Sequence, residues 1–520
     1  MSGALAVVAR RIYTSFEPLK TVQAITIHGG RVIYAGSRDR AVKIAAELGG
    51  DVLEFRDEVV IPGLVDAHTH LESLGLALNS LDLRGTSSIE ELKALVRAEL
   101  ARKTGWVFGR GWDQEKFREK RFPTRWDVDE VSKERPVLLV RVCGHMALLN
   151  TAAARELAIE EIAPRGVIRD ESGAFTGLVV EEGVEVAMRR FWSGVDSETL
   201  EKYLLDSVEH AVSYGITTLG LAGASTRVAT SLAKLSAEER LPAKVSIYLT
   251  LEAFKATAEL GLRAPASFGR ARLVGVKLFA DGSLGARTAY LSEPYEDAAD
   301  TRGIKLLGRE EIAMLSSLAR RLGYQVAIHA IGDAALDEVI EGLRGVGGRS
   351  RVEHLSVVRD DQLAKLGELG VVGVVQPHFI ITDWWVLRRV GARRASWVYR
   401  FKDLGKFIQI ALSTDSPVEP IDPWENIYAA VSRGEAEGIE LARYSESQKL
   451  SVPEALHYYT YGSAYALGLE NEVGRLEPGY SADFTVLDRN PLEVGVEELR
   501  KTKVLGVFVD GERVYPREVL

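Results

Sequence analysis

The stretch Val59-Val60-Ile61-Pro62-Gly63-Leu64-Val65-Asp66-Ala67-His68-Thr69-His70 decides how this chain is read. It is a short, apolar, β-branched run that ends in two histidines one residue apart. On a strand, residues i and i+2 share a face, so His68 and His70 point the same way. Two neutral imidazoles on one rigid wall are half of a metal site. A lone His-X-His is a weak signal, because surface strands produce it by chance. Its position strengthens it here: the pair stands where a buried strand stops, and strand ends carry the catalytic groups of parallel α/β barrels.

Outward from this stretch, strands alternate with helical segments, the pattern of a parallel sheet with crossover helices. Strand candidates fall at residues 61–67, 216–221, 245–251, 273–279, 325–328, 350–353, 371–375 and 408–412. Together they predict an α/β fold closed as a (β/α)8 barrel. The gap between the first two is far longer than a βα unit, so an insertion domain follows the first strand. It should overhang the C-terminal mouth of the barrel. Its glycines and tryptophans, Trp112 among them, form either a lid and substrate wall or a satellite core. The chain ends have a different texture, short β-branched runs with a Gly29-Gly30 hairpin turn on one side and residues 483–487, 504–509 and 513–515 on the other. They predict one β-sandwich domain built from both termini. The expected bounds are 1–58 and 471–520 for the sandwich, 59–104 and 186–470 for the barrel, and 105–185 for the insertion or lid.

The 520 residues carry a formal charge of −9, with Lys and Arg scattered among Asp and Glu. That argues against a nucleic-acid partner. Cys143 is the only cysteine, which excludes an intrachain disulfide and a cysteine-based zinc cage and fits a reducing, cytoplasmic location. The run Met1 to Arg10 is too short and too soon charged for a signal peptide, and no apolar run is long enough to span a membrane. Scarce Asn, Gln, Cys and Met beside plentiful Glu and Arg suggest a thermophile. The expected partner is a small-molecule substrate, and a homodimer is compatible with this composition.

Several of the nine histidines stand at barrel-strand ends, while His28, His210 and His457 have no such context and read as structural or surface residues. His329 ends Val326-Ala327-Ile328-His329 and His354 ends Arg351-Val352-Glu353-His354. Asp415 closes the last strand in Ala411-Leu412-Ser413-Thr414-Asp415. Lys277 sits inside the otherwise apolar Val274-Gly275-Val276-Lys277-Leu278-Phe279, where an unpaired ammonium would be costly. Singly, a strand-end His is commonly a hydrogen-bond donor and a strand-end Asp a helix N-cap. Jointly, His68, His70, Lys277, His329, His354 and Asp415 make a convergent ring on one barrel face.

This ring, with Leu64-Val65-Asp66-Ala67-His68-Thr69-His70, resembles the amidohydrolase superfamily of metal-dependent hydrolases. Gly111-Trp112-Asp113, Phe122-Pro123-Thr124-Arg125, Gly144-His145, Phe279-Ala280-Asp281-Gly282-Ser283-Leu284-Gly285 and Gln376-Pro377-His378 are similar to its family 3 branch, which includes N-substituted formamide deformylases. The resemblance covers almost the whole chain. It implies a barrel, a terminal β-sandwich and one or two divalent ions, with zinc suited to four histidines and a carboxylate. By that pattern His68 and His70 hold the more buried ion, with Asp415, and His329 and His354 the more exposed one. Lys277, N6-carboxylated, bridges the two. The implied reaction is hydrolysis of a C–N bond in an amide, an N-substituted formamide or a related small molecule by metal-activated hydroxide.

The physical chemistry agrees with that implication. A carbamate would turn a costly buried cation into an anionic ligand, and a bound ion brings the pKa of water toward ~7. Asp415 would accept the water's proton and pass it to the leaving nitrogen. His378 and His145 are candidates to hydrogen-bond the substrate oxygen. Arg287 either clamps a substrate carboxylate or stitches a loop, and Asp281 and Trp112 complete the candidate substrate contacts. Two other readings compete. A mononuclear deaminase or isomerase of the same superfamily is one, and Lys277 speaks against the deaminase because such enzymes generally lack the bridging lysine. A non-catalytic barrel protein is the other, but it should have lost ligands, and all six positions are filled.

Overall fold

The stretch that ends in His68 and His70 is shared between two sheets. In the computed structural model, which describes residues 3–102 and 104–516, Val59 to Pro62 finish the strand Asp51–Pro62 of one sheet, and Leu64–Thr69 begins a strand of another. The expected single strand over 61–67 is thus corrected. Gly63 is the crossing point because there is no room for more: a Cβ there would lie 2.2 Å from the Thr217 hydroxyl.

Leu64–Thr69 is the first of eight barrel strands. The others are Ile216–Ala224, Lys244–Leu249, Ala271–Phe279, Gln325–Ala330, Arg351–His354, Val372–Val375 and Gln409–Leu412, paired in parallel in that order. Nearly every residue in them is buried, which suits a parallel sheet covered on both faces. The last strand meets the first at the C-terminal rim, where the Asp415 amide donates to the His68 carbonyl at 2.9 Å and the His70 amide to the Ser416 carbonyl at 2.8 Å. Crossover helices begin at well-placed caps. The Ser225 hydroxyl accepts from the Val228 amide ahead of Thr226–Ala237, and Thr250 does the same for Leu251–Glu259.

The chain ends build one seven-stranded sheet in which Asp51–Pro62 lies between Phe484–Leu487, antiparallel, and Leu5–Phe16, parallel. Gly29 and Gly30, at φ +58° and +75°, form the two-residue turn between Leu19–His28 and Arg31–Gly36. The outermost residues of the expected terminal domain, 1–2 and 517–520, lie outside the described residues.

Two compact units result: Met1–Leu74 with Leu204–Leu520, and Gly75–Tyr203. The second is wider than the 105–185 expected for the insertion. It carries its own six-stranded sheet, Leu81–Asp82 through Val107–Trp112, Val137–Arg141, Met146–Leu149, Phe175–Val180 and Val167–Arg169. Trp112, Phe117, Val137, Leu139 and Leu148 belong to its core. Among the described residues no helix is long and apolar enough to cross a membrane.

Candidate metal centre

Five barrel-strand ends bring six side chains together. His68, on the first strand, is buried, and its ring stands 5.4 Å from that of His70 and 5.2 Å from that of His354. His329 and His354, on the fifth and sixth strands, have ring centroids 4.4 Å apart. One oxygen of Asp415 lies 3.4 Å from His68 Nε2 and 3.1 Å from His70 Nε2. The His68, His70 and Asp415 ligand atoms all fall within 4.8 Å of one another, close enough to share one ion. Two of these residues are held in the left-handed region that side chains avoid, His354 at φ +76° and Asp415 at φ +59°. Such strain persists where the surrounding structure enforces it.

Each ring has one nitrogen committed to the protein. His68 Nδ1 donates to Glu353 at 2.5 Å, His354 Nδ1 donates to the Gln376 side-chain oxygen at 2.8 Å, and His329 Nε2 donates to the Gly282 carbonyl at 2.8 Å. The remaining nitrogens, Nε2 of His68 and His354 and Nδ1 of His329, keep lone pairs available as ligands. Burial holds all three rings well below the usual histidine range, reinforced by Lys277 for His68 and His354 and by the neighbouring His354 for His329. They are neutral, the form that binds metal. His70 is the exception: burial lowers it, but the carboxylate of Asp415, 3.1 Å away, outweighs this and raises it.

The donor set fits a divalent ion. Among the described residues His68 Nε2, Lys277 Nζ and one oxygen of Asp415 are buried with no hydrogen-bond partner in the protein. Leaving three such groups unpaired would cost several kcal/mol, about 1–3 kcal/mol for each. An ion answers the nitrogen and the oxygen. Lys277 is pushed down to about 8, burial outweighing Glu353 and Asp415, so about one part in ten of it is uncharged at pH ~7. Asp415 lies below the usual carboxylate range, because His68, His70 and Lys277 together overcome the effect of burial.

Sequence reasoning passed over the groups that hold this ring. Glu353 is fully buried and receives Arg351 through two hydrogen bonds of 2.8 and 2.9 Å, and Arg351 also donates to the Ala67 carbonyl. Burial pushes Glu353 up, but Arg351 and Lys277 bring it below the ordinary range, so it stays an anion facing His68. The signal was present in Arg351-Val352-Glu353, two charges on one face of a strand. Asp66 is the other omission. It accepts from the His68 and Thr414 amides and the Thr414 hydroxyl, tying the first strand to the turn that carries Asp415.

The ring opens into a cavity of about 360 Å³ whose apolar lining is made by Phe279, Leu284, Ile331, Phe379, Trp385 and Val418. Several expected substrate contacts are committed elsewhere. Trp112 is fully buried in the core of the Gly75–Tyr203 unit, with its indole N–H given to the Leu139 carbonyl, so it is a core residue. Arg287 is engaged by both oxygens of Asp297 and stitches a loop. Asp281 is buried and accepts from the amides of Tyr290, Ile331 and Gly332; it shapes the loops beyond the fourth and fifth strands. His378 stands just past the seventh strand, but Nδ1 is bonded to Glu419 and Nε2 faces Glu425 at 4.0 Å, away from the cavity wall. His145 is exposed in the Gly75–Tyr203 unit, 3.1 Å from Glu181.

Comparison with known proteins agrees with this geometry. A metal-dependent hydrolase from Pyrococcus horikoshii superposes with a TM-score of 0.88 at 39% identity, covering 95% of this chain and 99% of that one. A second, from Pyrococcus furiosus, gives 0.87 at 39% identity, covering 94% and 100%. The N-substituted formamide deformylase of Arthrobacter pascens is 26% identical, covering 95% of both chains. The model of the amidohydrolase family matches residues 52–515. With a nearly closed barrel, a ring of imidazoles and a carboxylate at its strand ends, and a family match over most of its length, the chain belongs to the amidohydrolase family.

Proposed function

We propose that the protein hydrolyses the C–N bond of an amide-like small molecule with the help of one or two divalent ions. The observation that carries this is the convergence of three buried atoms without a hydrogen-bond partner, from two strands and the turn after a third: His68 Nε2, Lys277 Nζ and an Asp415 oxygen. A fold that only had to be stable would not keep them. On this reading His68, His70 and Asp415 hold one ion, and His329, His354 and Lys277 hold or share a second. Zinc suits this donor set. Such an ion supplies acidity to water and charge to an amide carbonyl.

The protein's own groups do the rest. Glu353 and Gln376 fix the tautomers of His68 and His354, so that the ligand nitrogens are unprotonated. Asp415 takes a proton from the attacking water and passes it to the departing nitrogen, which leaves as an amine while the acyl carbon keeps the oxygen. The apolar wall excludes water from the acyl group. Lys277, whose lowered pKa leaves a reactive uncharged fraction near neutrality, adds through its lone pair to carbon dioxide, forming an N–C bond and releasing a proton, and so becomes an anionic carbamate. The likeness to a formamide deformylase favours formamides as the first amides to test.

The test is elemental analysis of protein prepared without chelator, followed by a screen of amides, N-substituted formamides, carbamates and lactones. One to two equivalents of divalent metal and chelator-sensitive release of an amine are expected. Less than a few tenths of an equivalent, with no uptake on reconstitution, would refute the reading.

A further inference from the structure

Away from the metal-binding side chains, the cavity has one ionisable spot. Asp383, at the end of the short helix Phe379–Thr382, lines it together with Tyr399. The Tyr399 hydroxyl donates to one Asp383 oxygen at 2.5 Å, and Tyr399 is itself held from behind, its amide bonded to the Ser356 carbonyl and its carbonyl to the buried Arg433. The carboxylate is therefore fixed in place, with its second oxygen free for a ligand. Among the described residues no arginine lines the cavity, and Lys277 is its one lysine. Arg287, on a loop, and Arg389, in the short helix Val386–Val390, are both bound to Asp297. Glu419, buried behind Asp383 and bonded to His378 and Thr382, adds a second negative charge.

We propose that the substrate carries a protonated amine, received by the Asp383 carboxylate, on an apolar body that fills the cavity. This deepens the hydrolase reading and rests on it only in taking the cavity to be the substrate's. A carboxyl set in an apolar wall, with one oxygen satisfied and another acid behind it, is short of positive charge. A substrate ammonium supplies that charge, while Trp385, whose ring already carries Arg389, and Phe379 line the same cavity and pack the apolar body. A substrate carboxylate at this position would meet Asp383 and Glu419, and the neighbouring Arg389 is already engaged by Asp297. Burial and Glu419 raise Asp383 to about 7, Tyr399 and Arg389 opposing them, so near neutrality a bound cation also favours its ionised form.

The experiment uses three ligands of equal body and different head group, phenylpropylamine, phenylpropanol and phenylpropanoate, titrated calorimetrically into the metal-loaded whole chain. The amine should bind at least about tenfold tighter than the alcohol, the scale expected for a charge-assisted hydrogen bond. Asp383→Asn, which keeps the size and still accepts the Tyr399 hydroxyl, should shrink that difference to within about threefold and leave the alcohol's affinity in place. Asp383→Ser is read beside it, so the outcome does not hang on one variant's folding. The phenylpropanoate can reach the metal, and any such binding should be the same in both variants. An amine that binds no tighter than the alcohol in the wild type overturns the proposal, and so does a preference that survives both substitutions. No turnover is read here. A protein that discriminates in this way but hydrolyses no amide would keep the proposal and lose the hydrolase reading, and one that hydrolyses neutral amides without discriminating would do the reverse.

Discussion

His68 can offer a lone pair to an ion because its other nitrogen is taken by Glu353, which Arg351 holds in turn. The buried Arg351–Glu353 pair is a weak argument for stability, since desolvation offsets most of the attraction, but it fixes one tautomer. Glu353→Gln should weaken metal affinity about 10- to 100-fold, the usual effect of losing a carboxylate behind a ligand histidine. Competition with a calibrated chelator measures this, and unchanged affinity would show that Glu353 serves packing alone. Asp415→Asn should keep the fold and lower turnover about 100- to 10,000-fold, because asparagine matches the size but takes no proton. That corresponds to a loss of about 3 kcal/mol or more of transition-state stabilisation. If Asp415 were only a helix cap, asparagine would serve nearly as well and activity would stay within about threefold.

At this scale the candidate ligands were legible because each breaks an apolar strand at its end, where a polar residue needs a reason. Glu353 was hidden for the same cause. It precedes His354 by one residue and reads as ordinary alternation until the strand is known to line a barrel interior. Arg287 and Asp281 misled because their motif carries charge without saying which neighbour consumes it, and only Asp297 and three backbone amides in the folded chain settle that.

Barrel strands were readable to within a few residues, since parallel strands buried on both faces appear as continuous β-branched runs. Their packing against each other was not. The second strand carries Gly220, where a Cβ would sit 2.2 Å from the Ala67 carbonyl oxygen of the ligand strand. Gly220→Ala should therefore push those two strands apart and destabilise the protein by about 1–3 kcal/mol, with a matching loss of bound metal. A shift in urea midpoint alone, with metal content unchanged, would place the strain outside the ligand strand. The elements between residues 379 and 404 escaped the sequence reading altogether. Phe379–Thr382, Val386–Val390 and Phe401–Leu404 are one turn or little more, too short to show helical periodicity, yet their neighbourhood provides Asp383, Trp385 and Tyr399 of the cavity wall.

For the whole molecule, acid stability depends on carboxylates held by cations. Asp403 shows the sign: burial would raise it, but Lys406, Arg400 and Gln448 bring it down to about 2. A carboxyl lower in the folded than in the unfolded chain adds stability above its unfolded pKa, near 4, and that stability disappears as pH falls toward 2, on the order of 1–2 kcal/mol here. Wild type and Asp403→Asn should thus differ in urea resistance near pH ~7, the gap narrowing below about 4 and closing only as pH falls through about 2. A gap that is constant across that window would assign the difference to lost hydrogen bonds instead. The second unit begins at Gly75, inside the helix Leu71–Leu78, in a stretch that the sequence reading counted with the barrel.

The candidate ligands are spread over most of the polypeptide, and the barrel closes through His68 with Asp415 and His70 with Ser416. The strand beside Val59 to Pro62, Phe484–Leu487, comes later still. During synthesis the paired imidazoles therefore leave the ribosome long before the residues that complete their surroundings, and early capture of an ion would involve two donors in an open chain. The full coordination sphere can form only after translation has passed the last barrel strand. An ion at this centre would thus be taken from those present around the released chain, and overexpression in cells short of one ion should yield folded protein loaded with another.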